Sequence, residues 1–165
     1  MRLKLSGLPW MSLLPVLIFV VLAIIGPWIV PYDPGAQDYG ALLQGPSTAH
    51  WLGTDYLGRD MFSRLVGGAQ VSLVAMSIVL ATALIVGVVI GSFAGYVGGL
   101  TEQVMISIID IILALPSLII ALALIGIFGT GYWSMIAALT FAWWANYARM
   151  SRAVVATELQ QPYIE

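Results

Sequence analysis

Long apolar stretches separated by short charged or turn-forming segments set the pattern of the chain. An α-helix rises about 1.5 Å per residue, so about 20 apolar residues cross the hydrocarbon core of a bilayer. Residues 10–30 carry no charge and are followed by Pro31, Asp33, Pro34 and Gly35, which end a helix. We therefore predict a first membrane span over 10–30. It is too long for a cleaved signal sequence, and no small-residue cleavage site follows it.

Three further spans follow from the same reasoning. The second covers about 72–96 and ends at Val97-Gly98-Gly99. Between Glu102 and Arg149 only Asp110 is charged, and this stretch is too long for one crossing. We place the break in the glycine-rich segment 126–131, which gives a third span over 103–125 and a shorter fourth over 132–147. Pro116 is expected to kink the third span.

Composition supports an all-α polytopic membrane protein with about four transmembrane helices. Of the residues 61% are apolar and 8% are charged, against about 45 to 50% and 25% in soluble domains. The absence of cysteine excludes disulfides, thiolate metal sites and cysteine nucleophiles. A net charge of -2 offers no basic field for nucleic acid. His50 has no nucleophile or metal-ligand companion at useful spacing, so no catalytic or metal site is predicted and His50 is expected to be solvated.

The distribution of Lys and Arg predicts the orientation, because cytoplasmic flanks are enriched in these residues. With a cytoplasmic N-terminus, four of the six cations lie inside and two outside. The inner group is Arg2, Lys4, Arg149 and Arg152, and the outer group is Arg59 and Arg64. The segment from Pro31 to about Arg64 is then extracytoplasmic. The division that follows is a cytoplasmic N-terminus with the first span (1–30), an extracytoplasmic segment (31–70) and a core with three spans (71–165).

The segment 50–64 predicts an amphipathic helix at the membrane surface that leads into the second span. Thr54 or Asp55 is expected to cap this helix, and Asp60 to pair with Arg64 one turn later. Apolar side chains fall on one face of the helix. We interpret the segment as a structural clasp between spans, with contact to a substrate as the alternative. The clasp residues are Gly53, Thr54, Asp55, Gly58, Arg59, Asp60 and Arg64.

Glycine recurs every fourth residue at Gly87, Gly91, Gly95 and Gly99. Such a bare ridge permits close backbone approach, which is a main route to helix packing in lipid. We predict a helix–helix contact surface, within the chain or with another subunit. Asp110 is the one ionisable residue inside a predicted span, and such residues usually face protein or a water-filled path. A structural or cavity-lining role and direct handling of a solute or proton are both open for Asp110.

Several motifs in the same order carry a family resemblance. Trp51-Leu-Gly-Thr-Asp-Tyr-Leu-Gly-Arg-Asp60, Ala94-Gly-Tyr-Val-Gly-Gly99, Ile109-Asp-Ile-Ile-Leu-Ala-Leu-Pro-Ser117 and Tyr147-Ala-Arg-Met-Ser-Arg152 resemble successive parts of one class of permease. This class comprises the dipeptide, oligopeptide and nickel ABC-importer permeases, and the likeness is to the C-type member of the permease pair. It covers almost the whole chain from about Trp10.

This resemblance implies a type I importer permease of six spans in the bacterial or archaeal cytoplasmic membrane, forming half of the solute pathway. Implied partners are a homologous second permease, two cytoplasmic ATPase subunits and an extracytoplasmic solute-binding protein. The chain itself would bind no cofactor, and Mg-ATP would bind to the ATPases. Asp110 and Asn146 are the polar candidates for lining the pathway. Glu165 falls where the family's Glu-Ala-Ala coupling loop begins, so the resemblance implies a chain truncated at that point, without the coupling helix and the last two spans.

Two other functions remain alternatives. A truncated fragment or assembly partner would bind the second permease subunit without transporting solute. A membrane-embedded enzyme would need clustered His, Asp or Glu residues at the ends of spans, and the sequence shows no such cluster. The sequence leaves the solute open among dipeptides, oligopeptides, nickel and glutathione, because similar permeases handle each of them.

Overall fold

The computed structural model describes residues 10–159 and residue 161, which form five α-helices and no β-strand. The helices are α1 (Trp10–Ile29), α2 (Met61–Val97), α3 (Gly99–Leu113), α4 (Ser117–Phe128) and α5 (Tyr132–Glu158). The all-α architecture predicted from the sequence is confirmed. The chain divides into two compact units, Met1–Val74 and Ala75–Glu165, so α2 begins in the first unit and ends in the second.

The start of α2 differs from the prediction. A surface helix leading into a separate span was expected, but α2 is one continuous helix of 37 residues. No proline lies within it, so its i to i−4 hydrogen bonds continue past Gly67 and Gly68. The prediction of a distinct amphipathic helix over 50–64 was therefore wrong, because residues 50–60 form a loop and only 61–64 are helical, as the first turn of α2.

The predicted third span is two helices that meet at Pro116 with a bend of 85°. Helix α3 ends at Leu113 because Pro116 has no N–H and its ring would clash with the carbonyl four residues earlier. The carbonyl of Pro116 accepts hydrogen bonds from the N–H groups of Ile119 and Ile120, which begins α4. The predicted kink is thus a complete break. The second predicted break is confirmed at Gly129 to Gly131, where Gly129 has a φ of 92°.

In the first unit, α1 packs on the start of α2 through a glycine. A Cβ atom on Gly26 would overlap the side chain of Val66, which is 1% exposed. Gly67 approaches Pro34, since a Cβ atom on that glycine would lie 3.0 Å from Cγ of the proline. Small residues therefore bring α1, the segment after it and the N-terminal turns of α2 together.

In the second unit, the C-terminal part of α2 packs against α5, and the two helices run parallel. Hydroxyl contacts join Thr82 to Thr140 and Ser92 to Ser151, at sequence separations of 58 and 59. A nearly constant separation requires that residue numbers rise in the same direction along both helices. The core of this unit consists of Ala83, Ile109, Trp144, Ala145 and Ala148, and a second cluster joins α4 to α5 through Ala121, Ala138 and Ala142.

Parallel packing of α2 on α5 dictates the course of the chain between them. The segment formed by α3 and α4 must return from the C-terminal end of α2 to the N-terminal end of α5. Among the described residues, α2 alone is long and apolar enough to span a membrane, the bent pair of α3 and α4 could form a second span, and Leu13–Ile29 is apolar but shorter. The count of four spans stays a prediction.

Candidate functional site

Asp55 is the centre of the clasp, which we define as residues 53–64. Its Oδ2 atom accepts hydrogen bonds from the guanidinium groups of Arg59, with Nε at 2.8 Å, and Arg64. Its Oδ1 atom accepts the backbone N–H groups of Leu57 at 2.8 Å and Arg59 at 3.0 Å. Both carboxylate oxygens are thus occupied, and the side chain is 8% exposed. Donors from the loop and from the first turn of α2 therefore converge on the carboxylate of Asp55 and hold the loop in its conformation.

Thr54 fastens the clasp to the preceding loop. Its hydroxyl donates to the carbonyl of Ala41 at 2.5 Å and accepts the N–H of Gln44 at 2.9 Å. Two glycines permit this close packing. Gly53 and Gly58 have φ values of 74° and 71°, which favour glycine, and a Cβ atom on Gly58 would overlap the backbone of Asp38.

Asp60 is the residue that caps α2. Its Oδ2 atom accepts the N–H of Ser63 at 2.8 Å, the usual N-cap hydrogen bond, and the side chain is 1% exposed. The expectation that Thr54 or Asp55 caps this helix was therefore wrong. Both lie before the turn that closes at Asp60, so neither side chain stands at the start of the helix.

The ionic pairings of the clasp also differ from those predicted. The other oxygen of Asp60, Oδ1, lies 3.0 Å from Nδ1 of His50, and Arg64 pairs with Asp55. The predicted pair between Asp60 and Arg64 was wrong because the N-cap role turns the carboxylate of Asp60 toward the backbone. His50 is not solvated as expected, since its side chain is 13% exposed and its ring stacks 4.9 Å from that of Tyr32.

The clasp lowers the pKa of both of its carboxyl groups. Burial alone would raise the pKa of Asp55, but hydrogen bonds from the Arg59 side chain and from the Leu57 and Arg59 N–H groups outweigh burial and hold it well below its ordinary value. Burial likewise opposes ionisation of Asp60, whose pKa is lowered by the N–H of Ser63 and by His50. Both groups are therefore carboxylates at neutral pH.

The glycine ridge lies against α5 at three of its four positions. A Cβ atom on Gly87 would lie 2.6 Å from the carbonyl oxygen of Trp144, and one on Gly95 would lie 2.9 Å from that of Arg152. Gly91 between them faces the backbone of Ala148. Gly99 does not share this surface. It begins α3 with a φ of 58° and has nothing within 4 Å of its Cβ position, because the helix has already ended at Val97.

Two ion pairs join α3 to α5. Nη2 of Arg149 lies 2.5 Å from Oδ1 of Asp110, and Nε of Arg152 lies 2.6 Å from Oε1 of Glu102. The first pair is open, with both side chains 57% exposed, whereas the second is 34% and 21% exposed. Ion pairs as exposed as the first contribute at most about 1 kcal/mol in water. It therefore adds little to the packing of α3 on α5.

Asn146 is exposed and lies one turn before Arg149 on the same face of α5. The sequence named Asp110 and Asn146, and the structure adds Arg149 as the partner of Asp110. Sequence reasoning assigned Arg149 only to the flank of a span, because a separation of 39 residues gives no local signal of pairing. Glu165, Arg2 and Lys4 lie outside the described residues. Among the described residues, no group of three His, Cys, Asp or Glu side chains is placed to hold a metal ion.

Two family models match most of the chain between them. Residues 1–46 match the N-terminal transmembrane domain of oligopeptide transport permease C. Residues 87–165 match the inner membrane component of binding-protein-dependent transport systems, and they include the glycine ridge and both ion pairs. The chain belongs to this permease family. The resemblance found in the sequence motifs is thereby confirmed. The members of the family are inner membrane components.

Individual permeases show the same likeness over nearly all of the chain. The nickel transport system permease protein NikC of Escherichia coli is 37% identical over 93% of the chain. The di/tripeptide permease protein DppC of Pseudomonas aeruginosa is 38% identical over 93%, and the oligopeptide permease protein OppC of Bacillus subtilis is 33% identical over 99%. The chain covers 56%, 52% and 54% of these proteins, so it spans about half the length of the curated relatives it matches.

Proposed function

We propose that the chain forms the N-terminal part of a permease subunit in an ATP-driven, binding-protein-dependent importer. The observation that carries the proposal is similarity to permease subunits through 93 to 99% of the chain, at 33 to 38% identity. The fold supports it, because α2 and α5 pack through glycines and small hydroxyl residues as membrane helices do. The subunit contributes half of the pathway and carries no enzymatic activity.

The proposed topology starts with a cytoplasmic N-terminus. Helix α1 leads outward, α2 leads inward, α3 with α4 returns outward as one broken crossing, and α5 leads inward. The parallel packing of α2 and α5 supports this order, because two parallel helices need one crossing between them. Arg149 and Arg152 near the end of α5 then lie toward the cytoplasm, as the enrichment of cations there favours. The clasp lies on the extracytoplasmic side.

The proposed assembly follows from the family, whose transport depends on a separate binding protein. A homologous second permease would complete the pathway, and two cytoplasmic ATPases would bind Mg-ATP and drive it. An extracytoplasmic protein would deliver the solute. The face of α3 and α5 that carries Asp110 and Asn146 is proposed to line the pathway.

The transported solute is proposed to be a peptide or a related small molecule. Among the relatives, DppC of P. aeruginosa is named for di- and tripeptides, OppC for oligopeptides and NikC for nickel. The test is uptake into proteoliposomes that contain the complete importer and its binding protein, with a labelled dipeptide, an oligopeptide, glutathione and nickel offered separately. Uptake of one class that depends on ATP is the expected result. The absence of ATP-dependent uptake of every solute would refute the proposal.

A further inference from the structure

Five polar side chains share one exposed face of helices α3 and α5. On α3 they are Gln103, Ser107 and Asp110, at positions i, i+4 and i+7, which lie on one side of a helix. On α5 they are Asn146 and Arg149, at i and i+3. We call these five residues the polar face. All of them are exposed, while Ile109 next to Asp110 is 2% exposed and packs in the core.

Hydrocarbon is an unsuitable surrounding for this face. Charged residues in membrane helices face a water-filled cavity or other protein, because exposure to acyl chains is costly. The pair of Asp110 and Arg149 is 57% exposed on each side, so it retains open hydrogen-bonding positions toward whatever lies in front of it. An arginine offers five N–H donors, of which a single contact to Asp110 uses few. The face is therefore suited to contact with water and a polar solute.

The two charges select the class of solute. A free metal cation would be attracted by Asp110 but repelled by Arg149, and a simple anion would meet the opposite combination. A solute with both an ammonium and a carboxylate group satisfies both. Guanidinium groups bind carboxylates in a planar, bidentate manner. Small peptides with free termini carry this combination of groups.

We infer that Asp110 and Arg149 exchange their mutual ion pair for the charged termini of a zwitterionic peptide. Asp110 receives the N-terminal ammonium group and Arg149 receives the C-terminal carboxylate. Because the pair is so exposed, little is lost when it opens, and the peptide restores both charge contacts. This inference rests on the proposed function, since it assigns a solute class to the pathway proposed above. Arg152 and Glu102 form the less exposed pair and retain their mutual contact throughout.

The experiment measures ATP-dependent uptake by the complete importer of three forms of one dipeptide: free, C-amidated and N-acetylated. Uptake is normalised to assembled complex, and the same binding protein is used throughout, so its own selectivity cancels in variant to wild-type ratios. We expect R149Q to lower uptake of the free dipeptide about tenfold while hardly changing that of the C-amide, since one charge-assisted hydrogen bond is lost. We expect D110N likewise to lower uptake of the free dipeptide while hardly changing uptake of the N-acetylated form, which has no ammonium group for Asp110 to receive.

Matched controls separate solute contact from structural pairing. E102Q and R152Q each break the neighbouring ion pair and are expected to leave the ratios among the three peptides unchanged. The double variant D110N/R149Q leaves no unpaired charge, so it tests the inference even if the single variants do not assemble. It should lose the preference for the free dipeptide over the C-amidated form and over the N-acetylated form. Equal losses for all three peptides, or unchanged ratios, would overturn the inference. Import of nickel without any peptide would overturn it too but leave the proposed function standing, whereas absence of all ATP-dependent import would refute the function itself.

Discussion

The hydroxyl oxygens of Thr82 in α2 and Thr140 in α5 are 2.8 Å apart. Together with the contact of 2.7 Å between Ser92 and Ser151, this distance sets the register of two parallel helices. Parallel neighbours cannot be joined by a short loop, so α3 and α4 have to carry the chain back. The return of the chain through α3 and α4 is therefore required by how α2 and α5 pack, and it brings Asp110 of α3 to Arg149 of α5.

Replacement of Gly91 with Leu is predicted to disrupt the contact between α2 and α5. A side chain at Gly91 would meet the backbone of Ala148, which cannot rotate away as a flexible side chain can. Overpacking of a well-packed contact costs about 1 to 3 kcal/mol or more. We expect the yield of intact importer after co-purification with the second permease to fall severalfold. G126L is the control, since Gly126 has nothing within 4 Å, and equal yields of G91L and wild type would contradict the packing.

Replacement of Gly58 with Ala is predicted to open the clasp. At a φ of 71° an alanine is strained by about 1 to 2 kcal/mol, and its Cβ atom would overlap the backbone of Asp38. The midpoint of thermal unfolding should fall by several degrees, and cleavage of the clasp by added protease should accelerate. G45A provides the comparison, because Gly45 has open space around its Cβ position. If G58A and G45A unfold and are cleaved alike, the clasp geometry is wrong.

Stability of the clasp is predicted to fall as the pH is lowered through the acidic range. Folding lowers the pKa of Asp55 and Asp60 below the ordinary value of about 3.9 for an aspartate, so their ionised forms stabilise the folded state. Their contribution is complete above about pH 5 and is lost as pH falls through 4 toward the lowered values. The difference in unfolding temperature between wild type and D55N should therefore shrink on acidification. A difference that stays constant between pH 7 and pH 3 would contradict these pairings.

The orientation of the chain is predicted to place Tyr39 outside and Thr157 inside. The chain has no cysteine, so single cysteines report accessibility without interference. A membrane-impermeant maleimide should label Y39C in intact spheroplasts and label T157C only after permeabilisation. Both residues are exposed, so the contrast between them reports side rather than burial. The reversed pattern of labelling would invert the proposed topology.

Local signals in the sequence predicted several helix ends, but they did not predict the long-range contacts. The positions of proline and glycine gave the end of α1 near Val30 and the start of α5 after Gly131, but they gave only a kink at Pro116, where the structure has a break. The predicted ion pairs were wrong where a turn brings distant residues together. Helical spacing suggested Arg64 as the partner of Asp60, but the structure pairs Asp60 with His50. The partner of Asp110 lies 39 residues away on another helix. No periodic pattern encodes that contact, although the polar positions 103, 107 and 110 already mark one face.

The parallel register of α2 and α5 is tested most directly by disulfide cross-linking of paired cysteines in native membranes. The double variants T82C/T140C and S92C/S151C join positions whose hydroxyl oxygens are 2.8 and 2.7 Å apart, and we predict rapid cross-linking of both under mild oxidation. The exchanged pairs T82C/S151C and S92C/T140C should remain reduced. Cross-linking of the exchanged pairs instead would mean that the helices run antiparallel, which would contradict the return crossing and with it the proposed permease architecture.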